Sequence, residues 1–141
     1  MITNIIDQLT RDEGVKLSLY FDQFGFATIG IGRLIDARKG GGLTLTEAQF
    51  LLQNDVTRTK QMLEETFPWV TGLSEARYGV LLNMAFNLGV HGLGEFREFL
   101  AAVQAGDWEK ASQEMLSSVW AKQVESRVAR LALQMRSDAW Q

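Results

Sequence analysis

Residues 12–32 read DEGVKLSLYFDQFGFATIGIG, and this stretch decides the fold. It contains two runs that favour β-strands, residues 17–21 and 26–31. Between them, residues 22–25 end in a glycine, as a tight turn requires. We therefore predict a β-hairpin near the start of the chain.

A short helix is predicted before this hairpin. Apolar residues recur at helical spacing over residues 2–9, and Gly14 is the residue type that ends a helix in a left-handed conformation. We expect the helix to cover residues 3–13, so that Glu13 lies in its last turn.

Six of the thirteen glycines fall within residues 25–42, so this stretch is rich in loops, and the pattern that follows it favours helices. The motif Thr44-Leu45-Thr46-Glu47 is a capping box that opens a long apolar stripe, and the only proline, Pro68, ends it. Four further helical stretches follow. They begin near Ser74, near Phe96, at Asp107 and near Glu125. The apolar stripe of the third stretch reaches Val119.

These patterns predict an α+β fold that is mostly helical. A chain of 141 residues forms one domain by default. We expect that domain, 1–141, to have a small β-hairpin lobe at about 14–43 and a helical lobe at about 67–141. A connecting helix at about 44–66 would join them, and helix 3–13 would pack onto the helical lobe.

Composition excludes several classes of protein. The chain has no Cys and one His, so disulfide scaffolds, zinc fingers and thiol nucleophiles are excluded, and we expect neither cofactor nor metal. The net charge of -3 does not favour a nucleic-acid partner. Neither a signal peptide nor a membrane span is predicted, so no stable membrane association is expected.

Any chemistry must therefore use carboxylates, hydroxyls or basic side chains. Glu13 is a candidate general acid, because the helix-end carbonyls and the neighbouring Asp12 both disfavour its ionised form. The hairpin brings Asp22 near Thr28, and two carboxylates beside a hydroxyl suit glycoside hydrolysis. The alternative is a surface Glu beside an Asp that only stabilises its own turn.

The same residues carry a family resemblance. The motifs Asp12-Glu13-Gly14, Tyr20-Phe21-Asp22 and residues 25–32, GFATIGIG, closely resemble the phage-type lysozymes, the endolysins of glycoside hydrolase family 24. Weaker similarity covers essentially the whole chain, through Thr46–Ala48, Asn54-Asp55, Leu82–Gly89, Trp108, Trp120, Gln123, Arg127 and Arg130. A lysozyme-like two-lobed fold is implied.

The resemblance also implies an activity. Such a muramidase cuts the β-1,4 bond between N-acetylmuramic acid and N-acetylglucosamine in peptidoglycan. Glu13 would donate the proton, Asp22 would activate or position the attacking water, and Thr28 would help to hold that water. The family is inverting, which implies carboxyl groups about 6.5–9.5 Å apart. By the same resemblance Leu34, Phe86, Asn87 and Arg127 would bind substrate.

Some positions depart from the family pattern or have competing interpretations. Arg33 stands where many relatives have a structural His, and residues 124–126 replace a Pro-containing turn. Gly40–Gly42, preceded by Arg38-Lys39, suits a flexible connection better than a phosphate site. We expect His91 in an exposed loop. The tryptophans are expected in the core rather than on sugar-stacking surfaces: Trp69, Trp108, Trp120 and Trp140.

The expected setting is host cell lysis. We expect a monomer that accumulates in the host cytoplasm, depends on a separate holin-like protein, and then acts on the wall. Two rivals stay open. A lytic transglycosylase needs one Glu but neither Asp22 nor Thr28, and a catalytically silent wall-binding protein would keep only the fold.

Overall fold

A computed structural model describes residues 2–141, and its elements run from a helix and a small sheet to helices alone. They are α1 (Ile2–Glu13), β1 (Lys16–Phe21), β2 (Ala27–Gly30), β3 (Arg33–Leu34), α2 (Leu45–Thr66), a 3-10 turn (Pro68–Gly72), α3 (Glu75–Gly94), α4 (Arg97–Ala105), α5 (Trp108–Leu116), α6 (Val119–Gln123) and α7 (Glu125–Ser137). The predicted mostly helical α+β class is confirmed.

The chain divides into two compact units, Met1–Leu51 and Leu52–Gln141. The first holds α1, the sheet and the start of α2, and the second holds the remaining helices. The single-domain organisation and the packing of helix 3–13 onto the helical lobe stay predictions.

The first unit follows the glycine and turn signals of the sequence. Gly14 has φ +73° and its N–H donates to the Thr10 carbonyl at 3.0 Å, which ends α1 where predicted. Strands β1 and β2 pair antiparallel, with Tyr20 opposite Thr28. The Gly25 N–H donates to the Asp22 carbonyl at 2.9 Å and closes the turn. The predicted hairpin is confirmed.

The sheet has a third strand that the hairpin prediction lacks. Strand β3 pairs antiparallel with β2, with Thr28 opposite Leu34. Two residues are too few to show the alternation that marks a strand in sequence. The glycine-rich loop after β3 is held by hydrogen bonds, from the Gly41 N–H to the Arg38 carbonyl at 2.8 Å and from the Gly42 N–H to the Leu34 carbonyl at 2.9 Å.

The start of α2 is fixed by the predicted capping box. The Thr44 N–H donates to Glu47 Oε2 at 2.8 Å, and the Glu47 N–H donates to Thr44 Oγ1 at 3.2 Å. Arg33 adds a charge, because its Nη2 lies 2.6 Å from Glu47 Oε1. Arg33 therefore links β3 to the first turn of α2.

The second unit contains the hydrophobic core. Its largest wholly buried side chains are Leu63, Val70, Val80, Leu81, Met84, Leu93, Phe99, Val103, Met115, Val128 and Met135. Trp120 is buried, and Trp69 and Trp108 pack against this core, as expected. Trp140 is 61% exposed, so its core assignment is wrong. Its ring packs directly against Gly79, and a side chain at residue 79 would collide with the ring.

Two helix boundaries differ from the predictions. Gly89, with φ 77° and ψ 156°, interrupts α3 where an end is predicted, but helical structure resumes to Gly94. His91 therefore lies in a helix rather than a loop, and its side chain is exposed as expected. The stripe that reaches Val119 is divided, because the Ser118 hydroxyl accepts the Ala121 N–H at 3.1 Å and begins α6.

Arg77 connects three helices of the second unit. From α3 its Nε donates to the Met135 carbonyl at 2.9 Å, its Nη1 lies 3.1 Å from Asp138 Oδ2, and its guanidinium lies 4.0 Å from the centre of the Trp108 ring. Only 14% of the side chain is exposed. The guanidinium therefore donates to a main-chain carbonyl at the end of α7 and also packs on the Trp108 ring of α5.

Replacing Arg77 with Met should lower the free energy of unfolding by about 2–3 kcal/mol, because charged hydrogen bonds to the end of α7 are lost. Urea unfolding followed by circular dichroism measures this. Arg136→Met is the matched control, since Arg136 is exposed and lies 4.0 Å from Glu109. It should change the value by less than about 1 kcal/mol, and equal losses would contradict a special role for Arg77.

The contacts of Glu47 with Thr44 and Arg33 should make the free energy of unfolding depend on pH in the acidic range. The Thr44 N–H first, and Arg33 second, hold the pKa of Glu47 below its ordinary value of 4.5. A lowered folded-state pKa stabilises the fold above pH 4.5, and this contribution is lost as the pH falls through the folded-state pKa. The stability difference between the wild type and Glu47→Gln should therefore shrink as the pH falls below 4.5 in urea unfolding.

An NMR titration checks the cause of this shift. In Arg33→Gln the pKa of Glu47 should rise only part of the way to its ordinary value, because the Thr44 N–H remains. A complete return would show that Arg33 alone lowers it.

Candidate active site

Glu13 is placed by the end of α1 and by a glycine. A Cβ added to Gly32 would lie 2.9 Å from Glu13 Oε2 and 3.0 Å from its Cδ, so the carboxylate occupies the space that a side chain would fill. Gly32 also has φ +70°, which favours glycine. Glu13 is exposed and makes no salt bridge within residues 2–51.

Asp22 is fixed by the turn that follows β1. Its Oδ1 accepts the N–H groups of Phe24 and Phe26, each at 2.9 Å, and its own N–H donates to the Phe26 carbonyl at 2.9 Å. The alternative interpretation of Asp22, that it only stabilises its own turn, is therefore correct for one of its two oxygens. Within residues 2–51 the other oxygen, Oδ2, has no hydrogen-bond partner. One oxygen holds the turn and the other can meet a ligand.

Thr28 lies in β2, opposite Tyr20. Its hydroxyl donates to the Phe26 carbonyl at 2.8 Å, and the residue is 3% exposed. Because the hydroxyl proton is committed, its lone pairs remain to accept a hydrogen bond. Phe26 thus contacts both polar residues through its main chain.

The four predicted substrate-binding residues fall in different environments. Leu34 is half-buried in β3, beside Thr28. Phe86 and Arg127 line one cavity of about 380 Å³ in the second unit, together with Trp140. Their roles stay predictions.

Asn87 has a structural partner in this unit. Its Oδ1 accepts the Trp120 indole N–H at 2.8 Å, so this oxygen satisfies a buried side chain. The amide N–H groups and the second lone pair of Oδ1 then remain for a ligand. Its role in substrate binding stays a prediction.

The first unit shows two separate contacts among the predicted catalytic residues. The Phe26 main chain joins Asp22 to Thr28, and Glu13 lies against Gly32, just before β3. Carboxylic acids that protonate a leaving group and activate water are the groups that glycoside hydrolysis requires.

Two residues near these contacts carry no site prediction in the sequence. Gly32 ends the motif of residues 25–32 that carries the family resemblance, but its contact with Glu13 joins residues far apart in the chain. Arg38 stacks on Phe26, with Cζ 3.6 Å from the ring centre. A sequence pattern gives no signal for such a contact, because the two residues lie on different elements.

Other kinds of site find little support among residues 2–141. They contain no group of three or more His, Asp or Glu side chains that could hold a metal ion. None of their helices combines the length and the apolar character needed to cross a membrane.

Comparison with known families decides the class of protein. Residues 10–139 match the model of the phage lysozyme family. The chain belongs to the phage lysozyme family. At the level of the family, membership supports peptidoglycan hydrolysis by a glycosidase.

This member of the phage lysozyme family is similar to proteins of several kinds. It is 30% identical over 155 residues to the pre-baseplate central spike protein Gp5 of Enterobacteria phage T4, covering 92% of this chain and 27% of that protein. It is 28% identical over 157 residues to the probable T4-type lysozyme 1 of Dictyostelium discoideum, covering 93% and 92%. With the endolysin of Salmonella phage P22 it shares 28% over 99 residues, 62% of each chain.

The contact between Gly32 and Glu13 generates a matched pair of variants. Gly30 has φ +72° but nothing within 4 Å of an added Cβ, whereas Gly32 has φ +70° and meets Glu13. Alanine at either position should cost about 1–2 kcal/mol of backbone strain. Only Gly32→Ala should displace the carboxylate, with about 100-fold loss of peptidoglycan clearing.

Turbidity clearing by folded protein, with circular dichroism as a check of folding, measures this difference. Equal activities of the two variants would contradict the proposed position of Glu13.

Proposed function

We propose that this chain is a muramidase that hydrolyses the β-1,4 bond between N-acetylmuramic acid and N-acetylglucosamine in bacterial peptidoglycan. Membership of the phage lysozyme family supports the class of reaction. The observation that supports the residue roles most is at Asp22, where Oδ1 holds the turn and Oδ2 has no hydrogen-bond partner within residues 2–51.

Glu13 would act as the general acid and protonate the glycosidic oxygen as the bond breaks. Its exposure and lack of a salt bridge within residues 2–51 leave its carboxyl accessible to a polymer. The contact with Gly32 limits the positions that the carboxyl can adopt. A fixed carboxyl delivers its proton more effectively than a mobile one.

Asp22 Oδ2 would accept one proton of the attacking water. The other water proton would donate to Thr28 Oγ1, whose own proton is directed at the Phe26 carbonyl. Because Thr28 is almost wholly buried, its part is limited to holding this water rather than contacting the sugar. No cofactor is needed for these steps.

We propose that the reaction inverts the anomeric carbon. Asp22 Oδ1 is held by two N–H groups at 2.9 Å, so Oδ2 keeps a defined position from which it could orient a water. Inversion further requires carboxyl groups about 6.5–9.5 Å apart, so that a water fits between the base and the sugar.

The proposed biological role is lysis of the host cell. Relatives named endolysins support this setting. We propose a monomer that is made in the host cytoplasm and reaches the wall once a holin-like protein has permeabilised the membrane.

Mass spectrometry of the fragments released from purified peptidoglycan tests the reaction. Fragments that have gained water and end in reducing muramic acid would support a muramidase. Anhydro ends would identify a lytic transglycosylase, and no release would identify a wall-binding protein. Proton NMR of the first product anomer separates inversion from retention, since an α anomer from a β bond requires inversion.

Substitutions test the roles. Glu13→Gln and Asp22→Asn should each lower the rate by at least about 100-fold. The amide introduced by Asp22→Asn would keep the Oδ1 acceptor of the turn, so a loss of rate assigns the effect to Oδ2 rather than to folding. Asp12→Asn is the matched control, because Asp12 is exposed and pairs with Arg11 at 2.9 Å. It should stay within about twofold of the wild type, and full activity in Glu13→Gln would refute the assignment.

A further inference from the structure

Arg38 is held beside the candidate catalytic residues by an aromatic contact. Its Cζ lies 3.6 Å from the centre of the Phe26 ring. The Phe26 main chain bonds to both Asp22 and Thr28. The guanidinium is therefore attached to the residue that organises this part of the site.

A second contact fixes the direction of this arginine. Arg38 Nη2 forms an ion pair with Asp36 Oδ2, and the Arg38 N–H donates to Asp36 Oδ1 at 3.0 Å. The side-chain hydrogen bond from Arg38, and after it the main-chain one, lower the pKa of Asp36. Asp36 thus binds both the main chain and the side chain of Arg38.

The glycine-rich loop is shaped around this pair. A side chain at Gly41 would collide with the Asp36 carbonyl, and the Gly41 N–H donates to the Arg38 carbonyl at 2.8 Å. The segment that sequence interprets as a flexible connection therefore holds Asp36 and Arg38 in a defined turn.

Most hydrogen-bond donors of this arginine remain available. A guanidinium carries five N–H donors, and within residues 2–51 its side chain donates only to Asp36. The side chain is 41% exposed. One face is covered by Phe26 and one edge is anchored, so the remaining donors keep a fixed direction.

We propose that Arg38 is a specificity-determining residue that binds a carboxylate of the peptide carried by muramic acid. This inference rests on the proposed function. Peptidoglycan bears short peptides with free carboxylates beside the scissile bond, and a fixed guanidinium fork matches a carboxylate with two parallel hydrogen bonds. The contacts with Phe26 and Asp36 reduce the entropy lost when that bond forms.

Binding of two substrates to a slowed enzyme tests the proposal. In the Glu13→Gln background, isothermal titration measures the Kd of a peptide-bearing glycan oligomer, and of the same oligomer with its carboxylates amidated. Arg38→Gln should weaken binding of the first about tenfold and leave binding of the second unchanged. Amidation of the oligomer should weaken its binding to the Glu13→Gln protein by a similar factor, because amidation and Arg38→Gln remove the same interaction.

Further variants separate a specific contact from general charge. Lys39 is an exposed neighbour with no hydrogen bond in the described chain, so Lys39→Gln should change either Kd less than about twofold. Arg38→Lys keeps the charge without the fork and should fall between Arg38→Gln and the parent.

The proposal is overturned if Arg38→Gln weakens both substrates equally, if it weakens neither, or if Lys39→Gln matches it. The proposed function fails separately, when the wild type releases no reducing fragments from peptidoglycan.

Discussion

The Asp22 carboxylate is the constraint on which the first unit depends. A single oxygen accepts two main-chain N–H groups at 2.9 Å and closes the turn between β1 and β2. That turn sets the register that places Thr28 opposite Tyr20, and β3 then adds to β2 beside Thr28. The acidic residue at this position holds the turn, and in the proposed mechanism its other oxygen positions the water. A substitution that removes Oδ1 would disturb the hairpin as well, whereas one that keeps Oδ1 and changes Oδ2 would leave the turn intact.

Much of the fold follows from local signals that act over a few residues. The capping box of Thr44 and Glu47 and the left-handed Gly14 place helix ends where the sequence predicts them, because each signal satisfies main-chain groups in its own turn. The misses have a different cause. Strand β3 has only two residues, and it exists because β2 offers an edge to pair with. Trp140 lies on Gly79 at the surface, which depends on where distant helices meet.

The candidate site shows the same division. The helix end that carries Glu13 and the hairpin that carries Asp22 and Thr28 are both visible in sequence, because each forms from residues that are close along the chain. The contact of Glu13 with Gly32 and the stack of Arg38 on Phe26 are long-range, and no periodicity predicts them. The sequence also gives no sign that the second oxygen of Asp22 is free within residues 2–51, since it cannot show which oxygen of a carboxylate accepts the hydrogen bonds of its turn. The roles of Leu34, Phe86, Asn87 and Arg127 stay predictions.

The distribution of aromatic residues gives the two units different optical properties. All four tryptophans, Trp69, Trp108, Trp120 and Trp140, belong to Leu52–Gln141, and the first unit has none. Intrinsic indole fluorescence therefore comes only from the helical unit. A ligand held by the first unit alone would leave this emission unchanged. Any spectral shift on adding substrate would then show that the ligand contacts the helical unit directly or that the two units are coupled.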